Sequence, residues 1–214
     1  MFAAMLDWVL HLDTHLAALA SAHGVLVYGV LFAIILVETG VVVLPFLPGD
    51  SLLFVSGALA AQGMLALAVL LPLLIVAAVA GDALNFAAGG LARARTVDAR
   101  RLRFVKDAYI ERTQNFFDQH GKKTIILARF VPIVRTLAPF VAALGRMPYR
   151  IFFAFNVIGA VCWVLLLTSA GYLFGNVAWI GEHLTAVLLG LVLLSILPGI
   201  IGWVTQRSAS SKPS

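Results

Sequence analysis

The sequence predicts an all-α polytopic membrane protein, and three observations carry that prediction. Of 214 residues, 62% are hydrophobic and 12% charged, with a mean hydropathy of +1.01; soluble domains carry about 25% charged residues. Apolar runs recur at 24–44, 64–92, 151–175 and 184–204, each long enough to cross a bilayer. Between them lie two proline-broken apolar stretches, 45-PFLPGDS-51 and 129-RFVPIVRTLAP-139. The architecture expected is about four transmembrane helices, two oppositely oriented re-entrant hairpins forming an inverted repeat, and an N-terminal amphipathic helix. Residues 24–204 make one membrane domain, with no room for a separate soluble module.

Residues 1–23 carry no Lys or Arg but do carry Asp7 and Asp13, so they lack the basic n-region of a cleaved signal peptide. Asp7, His11 and Thr14/His15 recur at helical spacing opposite Leu6, Val9, Leu10 and Leu16, the pattern of an interfacial amphipathic helix. A metal site from Asp7, His11 and His15 is set aside, since no further close ligand completes it. The 24–44 span is interrupted only by Glu38. Residues 51–61 are apolar but too few to cross roughly 30 Å of hydrocarbon. Flanked by Pro45, Pro48 and Gly49 on one side and Gln62-Gly63 on the other, the segment 45–61 reads as a re-entrant hairpin. The 64–92 span contains Asp82 and Asn85. Residues 93–123 hold nine Lys/Arg against four Asp/Glu and form a basic loop, with a surface helix expected over 104–120. Arg129, Pro132, Arg135 and Pro139 make 124–144 a poor continuous span. Two cleaner spans follow, and residues 205–214 form a short basic tail. Cys162, the only cysteine, reads as a small buried apolar residue. Tyr149, Trp163, Tyr172, Trp179 and Trp203 read as interface or packing aromatics.

Positive charge sets the sidedness. The 93–123 loop and the tail with Arg207 and Lys212 belong in the cytoplasm. The spans 151–175 and 184–204 then cross out and back, so 124–144 makes no net crossing and enters from the cytoplasm. By the same counting 45–61 enters from outside, and both termini are cytoplasmic. Opposed re-entrant segments, each followed by a span, are what an inverted-topology repeat produces. The basic loop adjoins spans, so anionic lipid rather than nucleic acid is its expected partner.

Four charges stand out in this apolar context: Glu38, Asp50, Arg129 and Arg135. A charge at the bilayer centre costs about 2.5–3.5 kcal/mol, so four facing lipid unpaired would cost on the order of 10 kcal/mol. They are therefore expected to face each other, water or a ligand. Asp50 and Ser51 also suit a helix N-cap after Pro48-Gly49. A turn near Pro132 would bring Arg129 and Arg135 toward one cavity, where paired guanidiniums match phosphate oxygens. The competing reading has each arginine merely neutralising Glu38 or Asp50. A phosphate competing with those carboxylates would give a basis for proton coupling. Asp82 and Asn85, one turn apart, either line the same cavity with Ser51 or satisfy broken backbone opposite. Neither a nucleophile–base pair nor a metal cluster is present, so an enzyme is not expected, nor a cofactor.

The segments 37-VETGVVVLPFLPGDSLLFVSGALA-60, 81-GDALNF-86 and 121-GKKTIILARFVPIVRTLAPFVAALG-145 resemble the signatures of the DedA family, the SNARE-associated or VTT-domain membrane proteins. The resemblance extends through 156-NVIGAVCWVLLLTSAGYLFG-175 to Leu197-Pro198-Gly199. It implies paired re-entrant helices, a bacterial inner-membrane location and a role in membrane-lipid homeostasis. It further implies translocation of undecaprenyl phosphate or a related phospholipid, with dependence on the proton motive force. The family's essential acidic and basic positions correspond to Glu38, Asp50, Arg129 and Arg135. One departure is Phe86, where relatives often carry tyrosine. The function expected is a lipid-phosphate translocase: phosphate on Arg129 and Arg135, with Glu38 and Asp50 as proton carriers or counter-charges. The alternatives are a proton-coupled small-solute transporter and a non-transport scaffold in which the charges form an ionic lock. A homo-oligomer is compatible with all three.

Overall fold

The computed structural model describes residues 12–41, 49–95 and 123–175, with side chains described from residue 24 onward except at 94, 95, 132 and 133. Six helices result, which we number in chain order: α1 (Leu12–Gly40), α2 (Gly49–Ala61), α3 (Leu67–Arg95), α4 (Thr124–Ala128), α5 (Pro132–Leu144) and α6 (Tyr149–Phe174). Among the described residues there is no strand, as the absence of alternating polar patterning predicts. Leu67–Arg93 and Tyr149–Phe174 are long and apolar enough to cross a membrane. The basic loop over 96–122, the 184–204 span, the tail and the Asp7/His11/His15 cluster lie outside these residues or side chains. Helical backbone is continuous from Leu12 through Gly40, so no boundary separates an N-terminal helix from the first span at residue 23.

The chain repeats one local plan twice. A 13-residue helix (α2, then α5) ends in a tight cap and leads into a long helix (α3, then α6). After α2, Gly63 takes a left-handed φ of 77°, the Gly63 amide donates to Ala60 O (3.1 Å) and the Met64 amide to Leu59 O (3.0 Å). After α5, Arg146 takes φ 61°, its amide donates to Ala143 O (3.2 Å) and that of Met147 to Ala142 O (2.9 Å). Both are Schellman caps, which satisfy the last carbonyls while reversing the chain. At 1.5 Å per residue each short helix is about 20 Å long, less than the hydrocarbon thickness.

Packing crosses between the two units. The short α2 lies chiefly against α6, and the short α5 chiefly against α3, while α1 lies along α3. The α2–α6 contact is made at backbone distance. A Cβ on Gly171 would run into the Phe54 carbonyl, and one on Gly57 into the Thr168 carbonyl. A larger core of Val27, Leu31, Ile35, Leu52, Leu53, Leu74 and Val164 joins α1, α2, α3 and α6. A smaller one around Ile125, Ala138 and Phe152 supports α4 and α5. Phe86 belongs to that second cluster, stacked on Phe152 at 4.3 Å between centroids. A ring without a hydroxyl suits that apolar seat. Cys162, expected to be buried, is exposed instead. It shares the outward side of α6 with Ile158 and Leu165, opposite the inward stripe of Asn156 and Trp163.

Candidate functional site

The site forms where the second proline-broken stretch loses its helix. The amides of Arg129, Phe130 and Val131 reach back three residues, to Ile126, Leu127 and Ala128 carbonyls, tightening the end of α4. Val131 is then extended (φ −119°, ψ 106°), as a residue before proline prefers. Pro132 opens α5 at a position that needs no amide hydrogen. This break between Arg129 and Arg135 turns both guanidiniums toward the same tryptophan. Their central carbons lie 5.7 and 5.4 Å from the centroid of the Trp163 ring.

Each arginine has its own carboxylate partners. Arg135 donates through Nη1 to Asp50 Oδ1 (2.7 Å) and through Nη2 to Glu38 Oε1. Arg129 donates through Nη2 to Asp82 Oδ2 and to Asn156 Oδ1 (2.6 Å). Trp163 Nε1 donates to Asp50 Oδ1 (2.9 Å). Two guanidiniums and three carboxylates from five elements are thus held in one apolar interior. One buried atom in the cluster, Arg129 Nε, has no hydrogen-bond partner among the described residues.

Glu38 is 1% exposed and sits near the end of α1, beside the start of α2. A Cβ on Gly49 would collide with its carboxylate, so glycine there lets α2 begin against Glu38. Asp50 occupies the first turn of α2, where a carboxylate complements the helix dipole. The cavity among these groups is about 10 Å³, room for a single water, and is lined by Glu38, Thr39, Asp82, Arg129, Arg135, Thr136 and Trp163. Of the three further residues expected to line it, Asp82 does. Ser51 and Asn85 are buried but are not among the lining residues. Asn85 Nδ2 instead donates to the Thr39 (3.2 Å) and Thr136 (2.8 Å) carbonyls, tying α3 to the ends of α1 and α5.

On the ionic-lock expectation each arginine neutralises Glu38 or Asp50. The structure gives both carboxylates to Arg135 and gives Arg129 to Asp82. Asn156 and Trp163 were not singled out as site residues. Asn156 also donates through Nδ2 to Val79 O (3.1 Å), and Trp163 is only 2% exposed. Their signal was the seven-residue spacing, which puts both on one face of a helix, with Gly159 between them. A Cβ on Gly159 would meet Arg129 Cδ at 3.1 Å, so the arginine side chain would have to give by a few tenths of an ångström.

Comparison with known proteins gives the chain a family. The VTT domain matches residues 47–173, which takes in α2 through nearly all of α6. The protein named DedA of Escherichia coli is 47% identical over 210 residues, covering 97% of this chain and 96% of that one. An uncharacterized membrane protein of Mycobacterium leprae is 40% identical over 178 residues, covering 83% of this chain and 80% of its own. The inner membrane protein YghB of Escherichia coli is 37% identical over 182 residues, covering 84% and 83%. No solved structure matches the chain.

Proposed function

The chain belongs to the DedA family of VTT-domain membrane proteins, a family linked to membrane transport, and on that premise we propose that it is a translocase for a lipid phosphate, most specifically undecaprenyl phosphate. It moves its substrate without chemical conversion, in a bacterial inner membrane, with both termini in the cytoplasm. The two short helices α2 and α5 enter the bilayer from opposite faces as re-entrant arms and meet near its midplane. Arg129 and Arg135 take the phosphate while the polyprenyl tail stays in lipid.

One observation carries this reading: two guanidiniums converge over one indole, each held by carboxylates on other helices. Forked donors facing one point suit phosphate oxygens, and in a water-poor interior such bonds are strong. Access is graded. The side chains of Asp50 and Arg135 are 21% and 11% exposed, whereas Arg129 and Glu38 are almost fully enclosed. Phosphate therefore meets Arg135 first. The cavity has room for about one water and a phosphate is larger, so entry requires the helices to part. Charge adds a second requirement. With every group ionised, three carboxylates and two guanidiniums sum to −1. Bringing an anion into that cluster is costly unless a proton comes with it. Glu38 and Asp50, which lose Arg135 to the phosphate, are the acceptors for that proton.

The test is movement of undecaprenyl phosphate between leaflets of liposomes containing the purified protein, with and without a pH gradient. Protein-dependent movement that fails in Arg135→Lys supports the reading; no movement under either condition defeats it. Solute-dependent proton flux without lipid movement would point instead to the small-solute transporter. The full pairing of both arginines also suits an ionic lock, which predicts that Arg135→Lys keeps wild-type activity.

A further inference from the structure

Trp163 contacts the three groups that must exchange partners if the translocase reading holds. Its indole N–H donates to Asp50 Oδ1 at 2.9 Å, the same oxygen that accepts Arg135 Nη1 at 2.7 Å. Its ring lies under both guanidiniums, at 5.4 Å for Arg135 and 5.7 Å for Arg129. It lines the cavity and is itself buried. The charged groups around it come from every neighbouring element: Glu38 on α1, Asp50 on α2, Asp82 on α3, Arg129 at the α4–α5 break and Arg135 on α5.

We infer that Trp163 is a positioning residue for phosphate exchange: it holds Arg135 and Asp50 in place while the arginine passes from carboxylate to phosphate. A guanidinium makes its hydrogen bonds in its own plane, through its edges, whereas attraction to an aromatic ring acts through the ring face. The two contacts do not compete. Arg135 therefore keeps its seat on the indole whichever anion its edges engage. Asp50 Oδ1 likewise keeps one donor, Nε1, after Arg135 leaves it, and a protonated Asp50 still accepts that bond through Oδ1. Without the ring, an arginine released by its carboxylates has no fixed position from which to meet phosphate.

The inference rests on the translocase reading, and the experiment separates the two. Full-length protein in nanodiscs is titrated with undecaprenyl phosphate, comparing wild type with Trp163→Phe and Trp163→Leu. Phenylalanine keeps the ring face and loses the N–H; leucine loses both. The ring contact persists in both states, so what is lost is preorganisation: Trp163→Leu is expected to raise Kd by up to about tenfold, the cost of ordering a freed arginine side chain on binding, and Trp163→Phe no more than about threefold. Wild-type affinity in a folded Trp163→Leu protein overturns the inference, as does a Phe variant as weak as the Leu variant. No binding by wild type instead overturns the function it rests on. Should the Leu variant not fold, a protein with Trp8, Trp179 and Trp203 replaced by Phe leaves Trp163 as the sole indole. Its emission must shift as undecaprenyl phosphate saturates the protein, and unchanged emission at saturation overturns the inference.

Discussion

Replacing Arg129 with methionine removes the donor that serves both Asp82 Oδ2 and Asn156 Oδ1. The Asp82 side chain is 7% exposed, so its carboxylate is left buried without its hydrogen-bonded counter-charge. Breaking a buried pair from one side costs about 3–5 kcal/mol. The abandoned Asn156 Oδ1 adds about 1–3 kcal/mol. Removing both charges, in Arg129→Met with Asp82→Leu, eliminates the first penalty and leaves the second. The double variant is therefore expected to be more stable than Arg129→Met by about 3 kcal/mol or more, although it carries one substitution more. Equilibrium unfolding of wild type, the two single variants and the double gives the coupling energy. Lipid movement in liposomes, measured on the same samples, should remain abolished in the stable double variant. Additive losses with no coupling would refute the buried pair. Full transport by the double variant would remove Arg129 from the phosphate site.

Other expectations follow from single contacts. Arg135→Lys exchanges a fork spanning Glu38 and Asp50 for a point charge; a loss of about 1–2 kcal/mol in stability and at least tenfold in lipid movement is expected. Gly171→Ala forces a methyl group onto the Phe54 carbonyl and should lower stability by about 1–3 kcal/mol, visible as a lower melting temperature. At the two caps the signs oppose: Gly63→Ala should cost about 1 kcal/mol, while Arg146→Gly should be neutral or stabilising by up to about 1 kcal/mol. Thermal melts of both variants check this, and a stabilising Gly63→Ala would contradict the cap geometry.

The sequence was most legible where a bilayer constrains it most. Spanning length located α3 and α6, and the prolines singled out the break after Arg129, because proline leaves an intramembrane helix few options. Pairing was less legible. Charges in apolar sequence must find partners, but which partner depends on helix rotation and crossing, which spacing does not encode. Hence Arg129 pairs with Asp82, whose place in the sequence suits a cavity or a broken backbone equally well. Trp163 escaped because a tryptophan in a span fits an interface belt equally well; only its packing places it under the arginines. Cys162 illustrates a different limit. In a membrane helix an apolar face can point outward, so apolar character does not imply burial.

The cross-packing of the two units explains why these charges gather where they do. Arg135 belongs to the second short helix and its partners, Glu38 and Asp50, to α1 and the first short helix. Arg129 precedes the second unit and pairs with Asp82 on the long helix of the first. Among the described residues each ion pair of the site therefore joins one half to the other, whereas the close α2–α6 contact through Gly57 and Gly171 is a backbone fit indifferent to charge. On the translocase reading, a phosphate that takes the arginines removes the ionic links between the halves and leaves the glycine contact intact. Binding would thus loosen the halves at the charged end while α2 and α6 remain in register. Release of the phosphate would restore all three pairs and close the site. Substrate and carboxylates then compete for the same donors, so occupancy and the relative position of the two halves are coupled through Arg129 and Arg135.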